Sequence, residues 1–483
     1  MVETGGTAMT MRRWILVAMV AMGLAGIAWL GVRVWESKVT LARYRPELPD
    51  LSGWPAVAQE RFRETDQSAR TIAKSREAMA ELGRLYQANG FFEEALACYE
   101  GLRAVDSRDA RWYHLPAAAL SGLGRLEEAE PLFRRAAELA PDYLPAHVRT
   151  GDVLLKANRW DEARRQYEAV LARFGEEPYA LLGLARVAIG RERWEDAEVL
   201  LKRAVAKDEN FVAGHFLLVT VHKHFGRDEE AARIEARVNH REFVEMQDPW
   251  VDELIVACYE PYYLSVAASA AIFRHDPERA KQCLERAASL AEKPGPYLRQ
   301  LGQIHLFTRN PTEAAKYVAQ AVALQPTDAE AWTIWVNALL AMGDRSEAYR
   351  VVQDGLKHCP DSGALRYVHG YMLSADGRME RAIEELRVAK RLRSTQADVY
   401  IELGRAYFKI GEDEAGAAEM KEALFVQPDH PVALVIVARY TIDHGDAEAA
   451  REWIRRIRLQ PRIVPEDVEL VVAEYREKFG RAP

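Results

Sequence analysis

The chain has 483 residues, 49% of them hydrophobic, and its 65 basic and 73 acidic side chains leave a net charge of −8. That length exceeds one ordinary core, so it implies several domains or an array whose core grows by addition. The acidic balance leaves no basic stripe for phosphates and excludes nucleic acid as the expected partner.

The first element is the uncharged apolar run at residues 14–32, WILVAMVAMGLAGIAWLGV, which follows a tail at 1–13. As a helix it spans about 28 Å, close to the hydrocarbon thickness of a bilayer. Trp14, Trp29 and Trp35 stand near its ends, where indole rings suit the headgroup region. A single transmembrane helix is therefore expected. A cleavable leader is the alternative, because Arg12 and Arg13 precede the run and the small residues Ala25 and Ala28 lie within it. Continuation through Trp29, Leu30 and Val32 favours a retained anchor. The Arg-Arg head has the layout of an export signal, whereas Arg33, Lys38, Arg43 and Arg45 favour the opposite topology. The resulting expectation is a bacterial inner-membrane protein with its large domain in the periplasm.

Residues 33–75 read as a linker, stiffened by Pro46, Pro49 and Pro55, leading into an introductory helix at 56–73. The four cysteines, Cys98, Cys258, Cys283 and Cys359, form no C-x-x-C pair and no zinc spacing, so buried free thiols are expected.

From residue 76 the chain repeats every 34 residues. A small residue falls at Ala95, Ala129, Ala163, Ala197 and Ala231, and again at Ala280, Ala314, Ala348, Ala382, Gly416 and Ala450. Five residues earlier stands Gly90, Gly124, Gly226, Gly343, Gly377, Gly411 or Gly445, with Asn158 in another unit. Gly and Asn tolerate the left-handed conformation that ends one helix and turns the chain into the next. Twelve residues before the marker nothing exceeds valine, so antiparallel helices can approach closely there. Stretches such as AELGRLYQANGFFEEALACYEGL (80–102) and IELGRAYFKIGEDEAGAAEMKEALFVQPD (401–429) resemble the tetratricopeptide repeat family.

That resemblance implies an all-α chain, an α-α superhelix of about eleven helix-turn-helix units in two blocks, with partners bound on its concave side. The blocks are expected at 76–245 and 261–464, with a capping helix at 465–483. Glu192, His275 and Arg309 depart from the turn glycine, so irregular helix ends are expected there.

The step from Ala231 to Ala280 is 49 residues, so an extra element falls at 246–260. In QDPWVDELIVACYEPYYL (247–264), Asp248 is expected to cap a short helix that opens on Pro249. A bend or cleft is expected at the junction, with Trp250, Tyr259, Tyr262 and Tyr263 either filling it or anchoring a ligand.

No phosphate loop, metal helix or nucleophile elbow occurs. His215, His222 and His224 cluster, but repeat arithmetic puts His215 and His222 at positions that hold Trp332, Tyr86 and Tyr407 in other units, which implies packing. No cofactor, metal or catalytic residue is expected. In the resembled family, first-helix residues facing the concave side bind partners. One such position, eleven before the marker, carries Arg84, Asp152, Arg186, Gln303, Asn337, Tyr371, Arg405 and Arg439. Four arginines there offer forked donors to acidic peptides, and plain solubility is the alternative explanation. The expectation is a membrane-anchored scaffold or assembly factor that binds extended peptide or protein segments, and not an enzyme. The alternatives are a subunit of an envelope or cytochrome c biogenesis system, and an enzyme or small-ligand binder at 247–264.

Overall fold

The computed structural model describes residues 34–71, 74–238, 246–392, 396–460 and 463–483, with a few positions inside 14–32. It is 78% helix, with no strand among the described residues. Contacts divide the chain into two compact units: Met1–Asp208 with Glu245–Tyr263, and Glu209–Val244 with Leu264–Pro483.

The expected membrane span is corrected, and with it the inner-membrane location and the periplasmic placement. No helix among the described residues is long and apolar enough to cross a membrane, and most of 14–32 lies outside the described residues. Among the described residues, each repeat helix is too short to cross a bilayer. Repeat helices run from 11 residues (Asp228–Val238) to 15 (Trp160–Phe174), about 16–22 Å at 1.5 Å per residue, against a hydrocarbon core of about 30 Å.

In the first unit, residues 34–44 are helical and bury Leu41. The introductory helix is Ala56–Ala69, four residues shorter than expected, and seats Phe62 against Trp54, Tyr86 and Phe91. Helix pairs then alternate through Trp194–Lys207. First helices of successive repeats touch each other, as Leu144–Lys156 does Pro178–Gly190, whereas second helices meet chiefly the first helices that flank them. The first helices therefore form the inner side. The second unit repeats this arrangement, with Gly295–Phe307, Ala329–Ala341, Gly363–Ala375 and Ala397–Lys409 adjacent in turn. It ends in Pro465–Phe479, with Pro465 at the first position, Glu466 and Asp467 in the first turn, and Tyr475 fully buried. All four cysteines are buried.

Every turn position takes positive φ, and the three departures behave like the glycines: Glu192 at 59°, His275 at 58° and Arg309 at 58°. Their helix ends are regular, contrary to expectation, because an ordinary residue can be held left-handed when the helices on both sides fix the turn. The cost is steric, about 1–2 kcal/mol for a residue with a Cβ. Arg309→Gly is accordingly expected to stabilise the second unit by up to about 1 kcal/mol in denaturant unfolding; an unchanged or lower stability contradicts this.

Candidate functional site

On the inner side of the first unit the helix Arg111–Gly122 carries Pro116, which has no N–H to give the carbonyl of Trp112. Arg103 Nη1 donates to that carbonyl instead, at 3.0 Å. Just upstream, His114 is fully buried, and its Nε2 lies 2.7 Å from Asp248 Oδ2. Tyr143 donates its hydroxyl to Asp248 Oδ1 at 2.7 Å and accepts from the Trp250 amide at 3.0 Å. A carboxylate only accepts, so the His114 contact places a proton on Nε2. Trp250 stacks on Tyr143 with ring centroids 3.6 Å apart and 11° between planes, and meets His114 edge-on.

Asp248 was expected as a helix cap, but its side chain makes no capping bond. The helix it precedes is one turn, Pro249–Asp252, continued as a 3-10 turn over Glu253–Ala257. Once buried, the carboxylate takes the two strong donors across the groove, and the Trp250 amide goes to the Tyr143 hydroxyl instead. Burial works to raise the Asp248 pKa, but the His114 contact and the Tyr143 hydroxyl outweigh it and hold the group below the usual carboxylate range.

Further along, Asn89 clamps the main chain of the same segment. Its Nδ2 donates to the Ala257 carbonyl at 2.8 Å and its Oδ1 accepts from the Tyr259 amide at 2.6 Å. Met246 packs with Val148, Tyr167 and Leu184, and Leu254 joins the cluster of Phe62, Leu82 and Leu85. Residues 246–259 thus cross the first helices in reverse repeat order.

The second unit has a cleft of ≈ 460 Å³ on its inner side. Ala268, Ile272, Phe273, Leu284 and Ile304 make its apolar part, and Ser269, Arg299, Gln300, Gln303 and Glu330 its polar part. Phe307 stands at the edge, 74% exposed. Arg299 is held by Asp328, with Nε 3.1 Å from Oδ2, and by Glu330. His114 and Arg299 each lie fifteen residues before their marker alanine, and Tyr143 and Asp328 each lie twenty before theirs. The same two repeat positions therefore face the groove in both units.

Of the residues expected on the concave face, Gln303 lines this cleft. Asn337, Tyr371, Arg405 and Arg439 are exposed on the inner helices that follow, and Arg186 is exposed in the first unit. Arg405 pairs with Glu402 at 2.7 Å and Arg439 with Glu474 at 2.8 Å, so both guanidiniums already hold carboxylates of their own chain. Arg84 and Asp152 are half-buried, and Asp152 accepts from Tyr167 at 2.8 Å. Burial pushes the Asp152 carboxyl up, against the pull of Arg149 and that hydroxyl. The junction aromatics separate: Trp250 and Tyr259 pack into the first unit, while Tyr262 and Tyr263 remain exposed.

Asn89, His114, Tyr143, Arg299 and Phe307 were not singled out from the sequence. A signal existed, because Asn89 is the only asparagine six residues before a marker and His114 the only histidine fifteen before one. Among the described residues no group of three or more His, Cys, Asp or Glu converges to hold a metal. In the histidine cluster, His215 Nε2 is 3.1 Å from the Glu209 carbonyl and His222 Nδ1 is 2.9 Å from Glu230.

Family models described as tetratricopeptide repeat match residues 81–143, 120–187, 154–218, 335–397 and 401–467. The chain is 24% identical over 120 residues to DnaJ homolog subfamily C member 3 of Gallus gallus, which is 25% of this chain and 24% of that protein. It is 22% identical over 146 residues to the Homo sapiens protein of the same name, 30% of this chain and 29% of that one. The chain thus spans about a quarter of the length of these curated relatives. Among solved structures, yeast Tom70 is similar over 84% of this chain and 97% of its own, at 12% identity and a TM-score of 0.40. The structure of Pseudomonas aeruginosa pilF is similar over 38% of this chain and 84% of its own, at 16% identity and a TM-score of 0.36.

Proposed function

Because the chain belongs to the tetratricopeptide repeat family, we propose that it is a protein–protein interaction scaffold whose second unit binds an extended peptide segment along its inner side. The observation that carries this reading is the cleft at Ser269, Gln303 and Phe307. Its apolar part suits one hydrophobic side chain of a partner, and the Gln300 and Gln303 amides suit the main chain beside it, which a repeat surface needs in order to hold extended peptide. Asn337, Tyr371, Arg405 and Arg439 continue the polar inner face beyond the cleft. The two arginines are shared with Glu402 and Glu474, so an acidic partner has to displace those pairings.

Photo-cross-linking in cells tests the reading. A photoreactive side chain at Gln303 is expected to capture a defined protein, and adding Phe307→Ala is expected to cut that capture about tenfold, the loss of one well-packed aromatic contact. Capture unchanged by Phe307→Ala argues against the cleft. Arg405→Gln with Arg439→Gln is the matching pair, because neutral amides avoid setting new carboxylates beside Glu402 and Glu474.

A further inference from the structure

The segment that breaks the 34-residue count is held as a ligand would be. One of its carboxylates is read by two side chains, His114 and Tyr143, from two successive repeats. One of its aromatic rings is stacked on Tyr143. Its main chain is clamped through both a carbonyl and an amide by Asn89, a side chain that the repeat itself does not call for. Asp248 is 3% exposed and His114 0%, so the pairing is desolvated. A loop that only filled space would need apolar contacts alone; a buried carboxylate met by matched donors is specific, because leaving it unpaired is costly.

We propose that the inner face of the first unit is a peptide site for an acidic residue followed two positions later by an aromatic one, and that residues 246–259 of the same chain occupy it as a tethered ligand. The partner implied is a peptide segment of that Asp-x-aromatic chemistry, and it binds by displacing the chain's own segment. This site is separate from the cleft of the second unit and does not depend on the reading given for that cleft. Its polar anchors belong to the first unit alone: Asn89, His114 and Tyr143.

The test uses the full chain and a fluorescent synthetic peptide of residues 246–260 carrying Cys258→Ser. The chain variant Asp248→Asn with Trp250→Ala weakens the tethered segment while leaving the groove residues intact. The peptide is expected to bind this variant at least tenfold more tightly than it binds the natural chain, and a peptide carrying Asp248→Asn is expected to bind the variant at least tenfold more weakly than the natural peptide. A folded variant that binds neither peptide, or both equally, overturns the proposal. A dimer, seen by light scattering, in which one copy's segment fills another's groove also counts against a partner in trans. Should the variant fail to fold, amide exchange of the natural chain decides. Trp250 and Tyr259 amides are expected to exchange at least tenfold faster than those in the middle of Ser75–Ala88, through release of the segment by itself. Exchange of both sets in one step, at one rate, makes the segment fixed core and overturns the proposal.

Discussion

Gly183→Ala is expected to destabilise the first unit by about 1–3 kcal/mol, the usual cost of overpacking, although the same exchange in an open helix gains about 1 kcal/mol. The ring of Tyr167 is fully buried and lies between two glycines. A Cβ on Gly183 would sit 2.3 Å from Tyr167 Cζ, and one on Gly151 2.5 Å from Cε1, both far inside van der Waals contact. The ring cannot easily retreat, because its hydroxyl is tied to Asp152 at 2.8 Å and Val148, Val170 and Ala180 pack around it. Gly122→Ala is the control, since a Cβ there meets nothing within 4 Å. Denaturant unfolding, followed at the transition of the first unit, should separate the two by sign. Equal stabilisation of both variants contradicts the pinned ring.

The second large effect is expected from Asp248→Ala. It leaves the His114 Nε2 proton and the Tyr143 hydroxyl proton without their acceptor in a desolvated site, at about 1–3 kcal/mol for each donor. Loss of about 3 kcal/mol corresponds to more than a hundredfold faster amide exchange over 250–259. Acid gives an independent check. The native Asp248 pKa lies below its ordinary value through His114, Tyr143 and the more distant Arg149. The contact therefore contributes its full stability above the unfolded carboxylate value of about 3.9 and loses it as pH falls through the lower native value. The stability gap between the natural chain and Asp248→Asn should accordingly be constant near neutrality and narrow only below about pH 4. A gap that closes near pH 6 points to a different group.

The repeat was legible because its information is local. Small residues at fixed spacing and a left-handed turn every 34 residues determine helix, turn and helix, and all eleven turns obey even where Glu192, His275 and Arg309 replace glycine. The extra element at 246–260 was legible as a slip in the count, but its destination was not. Nothing within 247–264 says that Asp248 reaches a histidine 134 residues away or that Tyr259 meets Asn89 170 residues away. Such pairings are set by which faces the stacked helices bring together. Contacts also place Val212–His224 and Asp228–Val238 with the second unit and the inserted segment with the first, an exchange that arithmetic along the chain does not reveal. In the second unit the inner position eleven residues before the marker led to Gln303, whereas Arg299 and Phe307 sit at other repeat positions that reach the same cleft from neighbouring turns.

The most direct test of a scaffold that binds through the inner side of its second unit is cross-linking compared by position. A photoreactive side chain is placed at Gln303 and Asn337 on the inner helices, and at the exposed Gln320 on the second helix Pro311–Leu324. One protein captured from both inner positions, absent from Gln320 and lost with Phe307→Ala, is the predicted result. Equal capture from Gln320, or capture indifferent to Phe307, contradicts it.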